Sequence, residues 1–295
     1  MLGRLLSQKK SLWGLAILIF FALLTILGPF FTVDPRAFLG TPLQPPSQEF
    51  WLGTTGQGQD VWAQMVVGGR HSLFSALAIG AGTTLIGALL GLAAAYWGGL
   101  VDEVISLVSN IFLVIPGLPL AIVVAAYLPS GTLTIALVLI ATGWAWNARV
   151  FRAQALSLRQ RDFVAAAIVG GESSLRLMLF EILPNMASLL LSTFLGAMIY
   201  ALGAQVGLEF LGLGDISAIT WGTNLYWASN DAALMTESWW TFVPTGVCIA
   251  LLGFALALLN FAIDEIADPR LQVQKAWRRR VGHADPGLTP VVRTA

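Results

Sequence analysis

Charge is what this chain lacks most. Only 11% of its 295 residues are Asp, Glu, Lys or Arg, where soluble domains carry about a quarter. Apolar residues make up 57% and the mean hydropathy is +0.77. A soluble fold of this length could not bury that much apolar surface. Cysteine is almost missing as well. The lone Cys248 excludes an intrachain disulfide and has no partner for a metal site; it reads as a small core-filling residue in an apolar block. The two histidines, His71 and His283, are too far apart in sequence to form a ligand cluster. Lysine is limited to Lys9, Lys10 and Lys275, and none follows a glycine. The Gly-Lys-Ser/Thr of a phosphate-binding loop is therefore absent, and ATP hydrolysis is not expected on this chain. The pairs Asp102/Glu103 and Asp264/Glu265 sit at the ends of apolar blocks, which suits structural or solvated carboxylates better than acid–base chemistry. Basic and acidic residues balance, so no global field attracts nucleic acid.

What is present is a series of long apolar blocks. A helix needs about 20 apolar residues to cross the hydrocarbon core. Six blocks approach or reach that length: Leu12–Phe31, Leu73–Trp97, Val104–Tyr127, Thr132–Arg149, Ala187–Val206 and Phe242–Ile263. The expected fold is an all-α membrane protein with six transmembrane helices. Its parts are an N-terminal stretch 1–11, a first helix 12–32, an outer loop 33–69, a main domain 70–264 and a tail 265–295. The first block is too long for the apolar region of a signal peptide, and no A-x-A site follows, so it reads as an uncleaved helix. Thr32–Arg70 is polar and proline-rich, with a short helix expected from about Asp60. Gly80, Gly82, Gly87 and Gly91 favour close helix packing in lipid. Pro116 and Pro119 should bend the third span. Trp144 and Trp146 are expected near an interface, and Trp239-Trp240 as an outer anchor.

Orientation follows from lysine and arginine placement. With six spans, the N-terminal stretch, the connection between the fourth and fifth spans and the C-terminal tail share one side. They hold all the basic residues except Arg36 and Arg70. Both termini are therefore expected in the cytoplasm. An odd number of spans would put either the tail or the arginine-rich connection outside, against that bias.

That connection, with Arg149, Arg152, Arg159, Arg161 and Arg176, is too polar to span and too long for a turn. Asp162–Val169 is good helix material, with Asp162 as N-cap or in the first turn. Gly170-Gly171 then ends the helix, and a second segment, Ser173–Leu183, runs to Pro184. A short surface helix with small and apolar residues suits either docking in a partner's groove or lying flat on the bilayer.

The run Asp162-Phe-Val-Ala-Ala-Ala-Ile-Val-Gly-Gly171, followed by Glu181-Ile-Leu-Pro-Asn185, resembles the EAA loop of permease subunits of bacterial ATP-binding-cassette importers. The match is strongest to the dipeptide/oligopeptide/nickel permeases. Leu52-Gly-Thr-Thr-Gly-Gln-Gly-Gln-Asp60 resembles that subfamily's L-G-T-D-x-x-G-R-D. Gly207-Leu-Glu-Phe-Leu-Gly-Leu-Gly214 with Trp221-Gly222 resembles its L-S-F-L-G-L-G…W-G, and Asp268-Pro-Arg-Leu271 its closing D-P-R-L. These stretches occur in order across nearly the whole chain.

The resemblance implies a type I importer permease fold and a second-permease subunit of a heterodimer. It also implies one or two ATPase subunits that bind ATP and magnesium, an extracytoplasmic solute-binding protein, and no cofactor or catalytic residue on this chain. Membrane lipid surrounds it, and no nucleic acid is expected. By position, the loop 151–184 would couple to the ATPase through Asp162, Ala165, Ala166, Ala167, Gly171, Glu172, Leu183 and Pro184. Two departures stand out: Ala165 replaces the family's usual glutamate, and Glu181 an often-found histidine. Arg161, Asp162 or Glu172 are the residues nearby that could replace the lost polar contact. Short peptides are the first expectation for substrate. Oligosaccharides or a nickel chelate are the alternatives, the former because Trp221, Tyr226, Trp227, Trp239 and Trp240 cluster in one outer segment. A membrane enzyme would need intramembrane catalytic or metal-ligand clusters, and the sequence has none. A secondary transporter or channel is the remaining class, and the nearly charge-free blocks argue against ion coupling.

Overall fold

The computed structural model describes residues 8–267. Arg4, the tail from residue 268 and its Asp268-Pro-Arg-Leu271 lie outside the described residues. The described chain is a helical bundle: α1 (Lys9–Leu27), α2 (Val61–Trp97), α3 (Gly99–Val114), α4 (Gly117–Ala126), α5 (Thr132–Arg159), α6 (Asp162–Val169), α7 (Ser174–Phe210), α8 (Trp221–Asn230) and α9 (Val243–Ala267). Five of these, α1, α2, α5, α7 and α9, are long and apolar enough to cross a membrane. The pair α3 and α4 makes a sixth span, broken by an 87° bend. Six spans were expected, and the break falls at Pro116, where the helix loses a backbone donor.

α2 is the central mast. Its 37 residues extend about 55 Å at 1.5 Å per residue, well beyond a hydrocarbon core of about 30 Å. The helix expected from about Asp60 starts at Val61, capped by Asp60, whose Oδ1 accepts from the Trp62 amide at 2.9 Å; instead of being short, it runs unbroken past Arg70 as the second span. Burial raises the Asp60 pKa above the usual carboxylate range, against the pull of its backbone hydrogen bonds. Gly68 and Gly69 do not break the helix. They are contact points: a Cβ on Gly68 would lie 3.0 Å from the Thr220 backbone, and one on Gly69 2.9 Å from the Trp221 ring. α2 packs most extensively against α5, and next against α7. α1 lies on α9, which lies on α7.

α5 also runs further than expected, to Arg159 instead of Arg149. The cause is amphipathic spacing. Ala148, Phe151 and Ala155 are all buried at helical intervals, so the helix stays attached to α2 for three more turns. α7 starts earlier than the fifth block. It is continuous from Ser174 because Pro184 is absorbed, not because it terminates anything. Residues Leu177–Ile182 widen into a π turn, in which the Leu183 amide donates to the Met178 carbonyl at 2.9 Å. A 3-10 turn, Pro184–Met186, then leads into the α-helical part. The wider turn makes room for a ring that would otherwise meet a carbonyl one turn back.

Between α2 and α5 the glycines act by closeness. A Cβ on Gly87 would lie 2.5 Å from Asn147 Cβ, and one on Gly91 2.6 Å from the Ala148 carbonyl oxygen. Gly91→Ala should therefore push two backbones apart and cost about 1–3 kcal/mol. Gly203, on α7, has nothing within 4 Å of such an atom. Thermal unfolding of the detergent-purified chain should show a clear drop for Gly91→Ala and none for Gly203→Ala. Equal midpoints would mean the α2–α5 approach is not tight.

Candidate functional site

α6 joins α5 through two residues and stands at the end of the bundle. Arg161 occupies its N-cap without a side-chain hydrogen bond, and Asp162 lies exposed in the first turn. The C-terminus is a glycine-closed Schellman turn. The Gly171 amide donates to the Ile168 carbonyl at 3.0 Å and the Glu172 amide to the Ala167 carbonyl at 3.1 Å. Gly171 has φ +80°, a left-handed value that disfavours side chains, although a Cβ would meet nothing there.

One face of α6 is seated and the other is bare. Val164 is 0% exposed and packs, with Ala167 beside it, into a cluster formed by Leu92, Phe151, Leu177 and Ile182. Leu183 joins the same cluster, while Pro184 is exposed. Ala165 and Ala166 face outward, with Phe163 and Ile168 exposed near them and Val169 88% exposed. Beyond Asp162 the surface is small, apolar and uncharged. Glu172 pairs with Arg176 at 3.5 Å, so of the three residues considered as substitutes for the missing glutamate, it has its ion pair within its own turn. The structure thus gathers Ala167 and Leu183 beneath the helix and leaves Asp162, Ala165, Ala166 and Gly171 on its outer side.

The seat is tied to the spans. Arg159 Nη1 donates to the Ala95 carbonyl at 3.0 Å, and its guanidinium lies 5.4 Å from the Tyr96 ring centroid. Arg152 grips Asp102 through two nitrogens, Nη2 to Oδ2 being 2.5 Å. Asp102 is therefore a structural carboxylate that holds α3 to α5. α6 thus rests on α2, α5 and α7 through packed atoms.

Two features escaped the sequence reading. The first is a cavity of about 570 Å³ between the α3–α4 bend, α5, α7 and α9. Its polar lining includes Thr142, Asn147, Ser192, Tyr200 and Asn260, each of which looks unremarkable inside an apolar block. Among the described lining residues there is no Asp, Glu, Lys, Arg or His. The second is Glu209 near the far end of α7, 1% exposed. Its carboxylate accepts from Thr220 Oγ1 at 2.6 Å, from Gln205 Nε2 at 2.9 Å and from the Gly222 amide. It pins the start of α8, itself capped by Thr220 and Thr223. The signal was an acidic residue inside the Gly207–Gly214 run.

The aromatic reading of the outer segment needs correction for Trp221. It is 1% exposed, stacks edge-on against Phe21 at 5.8 Å and donates from Nε1 to the Met65 carbonyl at 2.9 Å. It fills the core. Trp144 is buried against Phe112, whereas Trp146 is exposed at the cavity edge. Trp239 is exposed, and Trp240 donates to the Thr54 carbonyl at 3.2 Å.

Comparison with known proteins adds an independent observation. Residues 87–273 match the family described as binding-protein-dependent transport system inner membrane component. The chain is 30% identical to the oligopeptide transport system permease protein OppC of Bacillus subtilis, over 91% of this chain and 88% of that one. It is 31% identical to a putative peptide transport system permease protein of Brucella suis, over 92% and 91%. With the dipeptide transport system permease protein DppC of Bacillus subtilis it shares 29%, over 91% and 84%.

Replacing Glu209 would strand its partners. Glu209→Ala leaves the Gly222 amide, Thr220 and Gln205 without their shared acceptor, a loss of about 1–3 kcal/mol per stranded buried group. Glu209→Gln keeps shape and one carbonyl oxygen and should lose less. Thermal unfolding of the two variants should rank them in that order; no loss for Glu209→Ala would mean the network is slack.

Proposed function

Because the chain belongs to the family of binding-protein-dependent transport system inner membrane components, we propose that it forms half of the translocation path of an importer for short peptides, driven through α6 by a cytoplasmic ATPase. The chain is a multi-pass membrane permease component and not an enzyme. A transport system of this kind works with an ATPase and a solute-binding protein. The finer reading adds a second, different permease subunit as the other half of the path. It places both termini and α6 in the cytoplasm, in keeping with the arginines at that end of the bundle.

The observation that carries the proposal is the two-faced seating of α6. A helix with Val164 fully buried and Val169 almost fully exposed presents an apolar ridge to a partner's groove. The ridge stands on the ends of α2, α5 and α7. Closure of the ATPase pair would change what the ridge contacts, and that differential contact biases the spans between inward- and outward-facing states. ATP and magnesium stay on the ATPase. The peptide assignment is supported by the names of the relatives. The sugar alternative loses one of its aromatic supports, since Trp221 is core.

Val169→Asp should leave the fold intact, because the side chain is exposed. It should cut ATP-dependent peptide uptake at least about tenfold, since an unpaired carboxylate in an apolar contact costs more than 1.4 kcal/mol. The measurement is uptake into proteoliposomes holding the complete importer, together with recovery of the ATPase on the purified chain. Unchanged uptake and recovery would exclude α6 as the coupling element.

A further inference from the structure

One residue of the cavity wall carries an unexplained group. Asn147, on α5, lines it and is only 6% exposed. Its Nδ2 is buried and has no hydrogen-bond partner among the described residues. The other polar groups differ. The Thr142 hydroxyl donates to the Val138 carbonyl at 2.9 Å and the Thr83 hydroxyl to the Ile79 carbonyl at 2.9 Å. Ser192 Oγ lies 2.7 Å from Asn260 Oδ1 and also meets Asp264, which is not among the lining residues. Among the described lining residues, only Asn147 carries such a stranded buried nitrogen. Leaving a buried amide unpaired costs about 1–3 kcal/mol, and such a group calls for an explanation. The bend beside it brings Gly117 up to Tyr200, where a Cβ on the glycine would be 3.3 Å from the phenol oxygen. The phenol hydroxyl and the Asn147 amide thus belong to one uncharged wall.

We propose that Asn147 is a substrate-contact residue of the path, its amide donating to a main-chain carbonyl oxygen of the passing peptide, so that this wall reads backbone and not side-chain charge. The proposal rests on the peptide-importer reading. The side-chain torsion that turns an asparagine amide is soft, so the nitrogen swings toward the cavity when an acceptor arrives. An amide donor beside hydroxyls fits any peptide sequence, because every residue supplies a carbonyl. A wall bearing a carboxylate or an ammonium group would select by charge.

The test is a double-mutant cycle in proteoliposomes with the complete importer. ATP-dependent uptake of trialanine is compared with uptake of its analogue in which the peptide carbonyls are thiocarbonyls, which are weaker acceptors and uncharged. The binding protein is the same in every arm, so its own preference cancels. For the wild type, the oxygen-to-sulfur uptake ratio should exceed that for Asn147→Ala by about three- to tenfold, the worth of one neutral hydrogen bond. Asn147→Ser, which keeps a donor, should recover part of the ratio, and carries the comparison if the alanine variant fails to assemble. Equal ratios in wild type and variants overturn the assignment of Asn147, including the case where a trapped water satisfies the amide. No ATP-dependent trialanine uptake by the wild type overturns the peptide-importer reading instead, and uptake of a maltotriose probe in its place would identify the solute as a sugar.

Discussion

The close approach of α2 and α5 is the constraint on which the remaining structure depends. In lipid there is little hydrophobic force between helices, so association rests on van der Waals contact and small residues at the seam. Gly82, Gly87 and Gly91 let α5 side chains and backbone reach α2 at distances a Cβ would not permit. Asn147, Ala148 and Phe151 lie along that seam in little more than one helical turn. The upper part of this stretch faces the cavity, and the lower part faces the cluster under α6. One helix pair therefore carries both a wall of the cavity and the seat of α6.

Under the proposed function, that arrangement would turn a local contact into a movement of spans. α6 has only eight residues, too few to be stable on its own in water. It holds its shape because Val164 is buried and because Gly171 closes its end with two backbone hydrogen bonds. The Arg152–Asp102 grip and the Arg159 contacts join α3 and α2 to the same block. At the opposite end, Glu209 ties α7 to α8. The bundle thus has a tether at each end, and the α3–α4 bend supplies the one sharp change of direction among the described spans.

Much of this was legible in the residues. Block length and hydropathy gave six spans, and the proline pair marked the break in the third. The helix–glycine–glycine pattern located α6 and its closing turn to the residue. The misses share a cause: local signals were overridden by tertiary contact. Thr32–Arg70 looked like an outer loop with only a short helix near its end, yet Gly68 and Gly69 in it are points where α2 meets Thr220 and Trp221. Arg149 and Arg152 looked like the start of a loop, yet Phe151 and Ala155 keep that segment helical. Pro184 looked like a stop, yet a π turn accommodates it. Trp221 looked like part of an aromatic outer segment because its sequence neighbours are polar and aromatic, and its burial depends on Phe21, two hundred residues away. The cavity could not be read at all, since its polar groups come from separate blocks with no spacing rule between them.

The central claim is that α6 and the α2–α5 pair move as one body during transport. Spin labels on cysteines at Ala165, outward on α6, and Trp97, exposed at the end of α2, would measure it, with native Cys248 replaced by serine. Distances would be taken by pulsed electron–electron resonance in the complete importer, nucleotide-free and trapped with ATP and vanadate. The account predicts the same Ala165–Trp97 distance in both states, while the distance from Ala165 to a label on the second permease changes. A shift in the Ala165–Trp97 distance between the two states would contradict it, because α6 would then be sliding on its seat instead of carrying the spans with it.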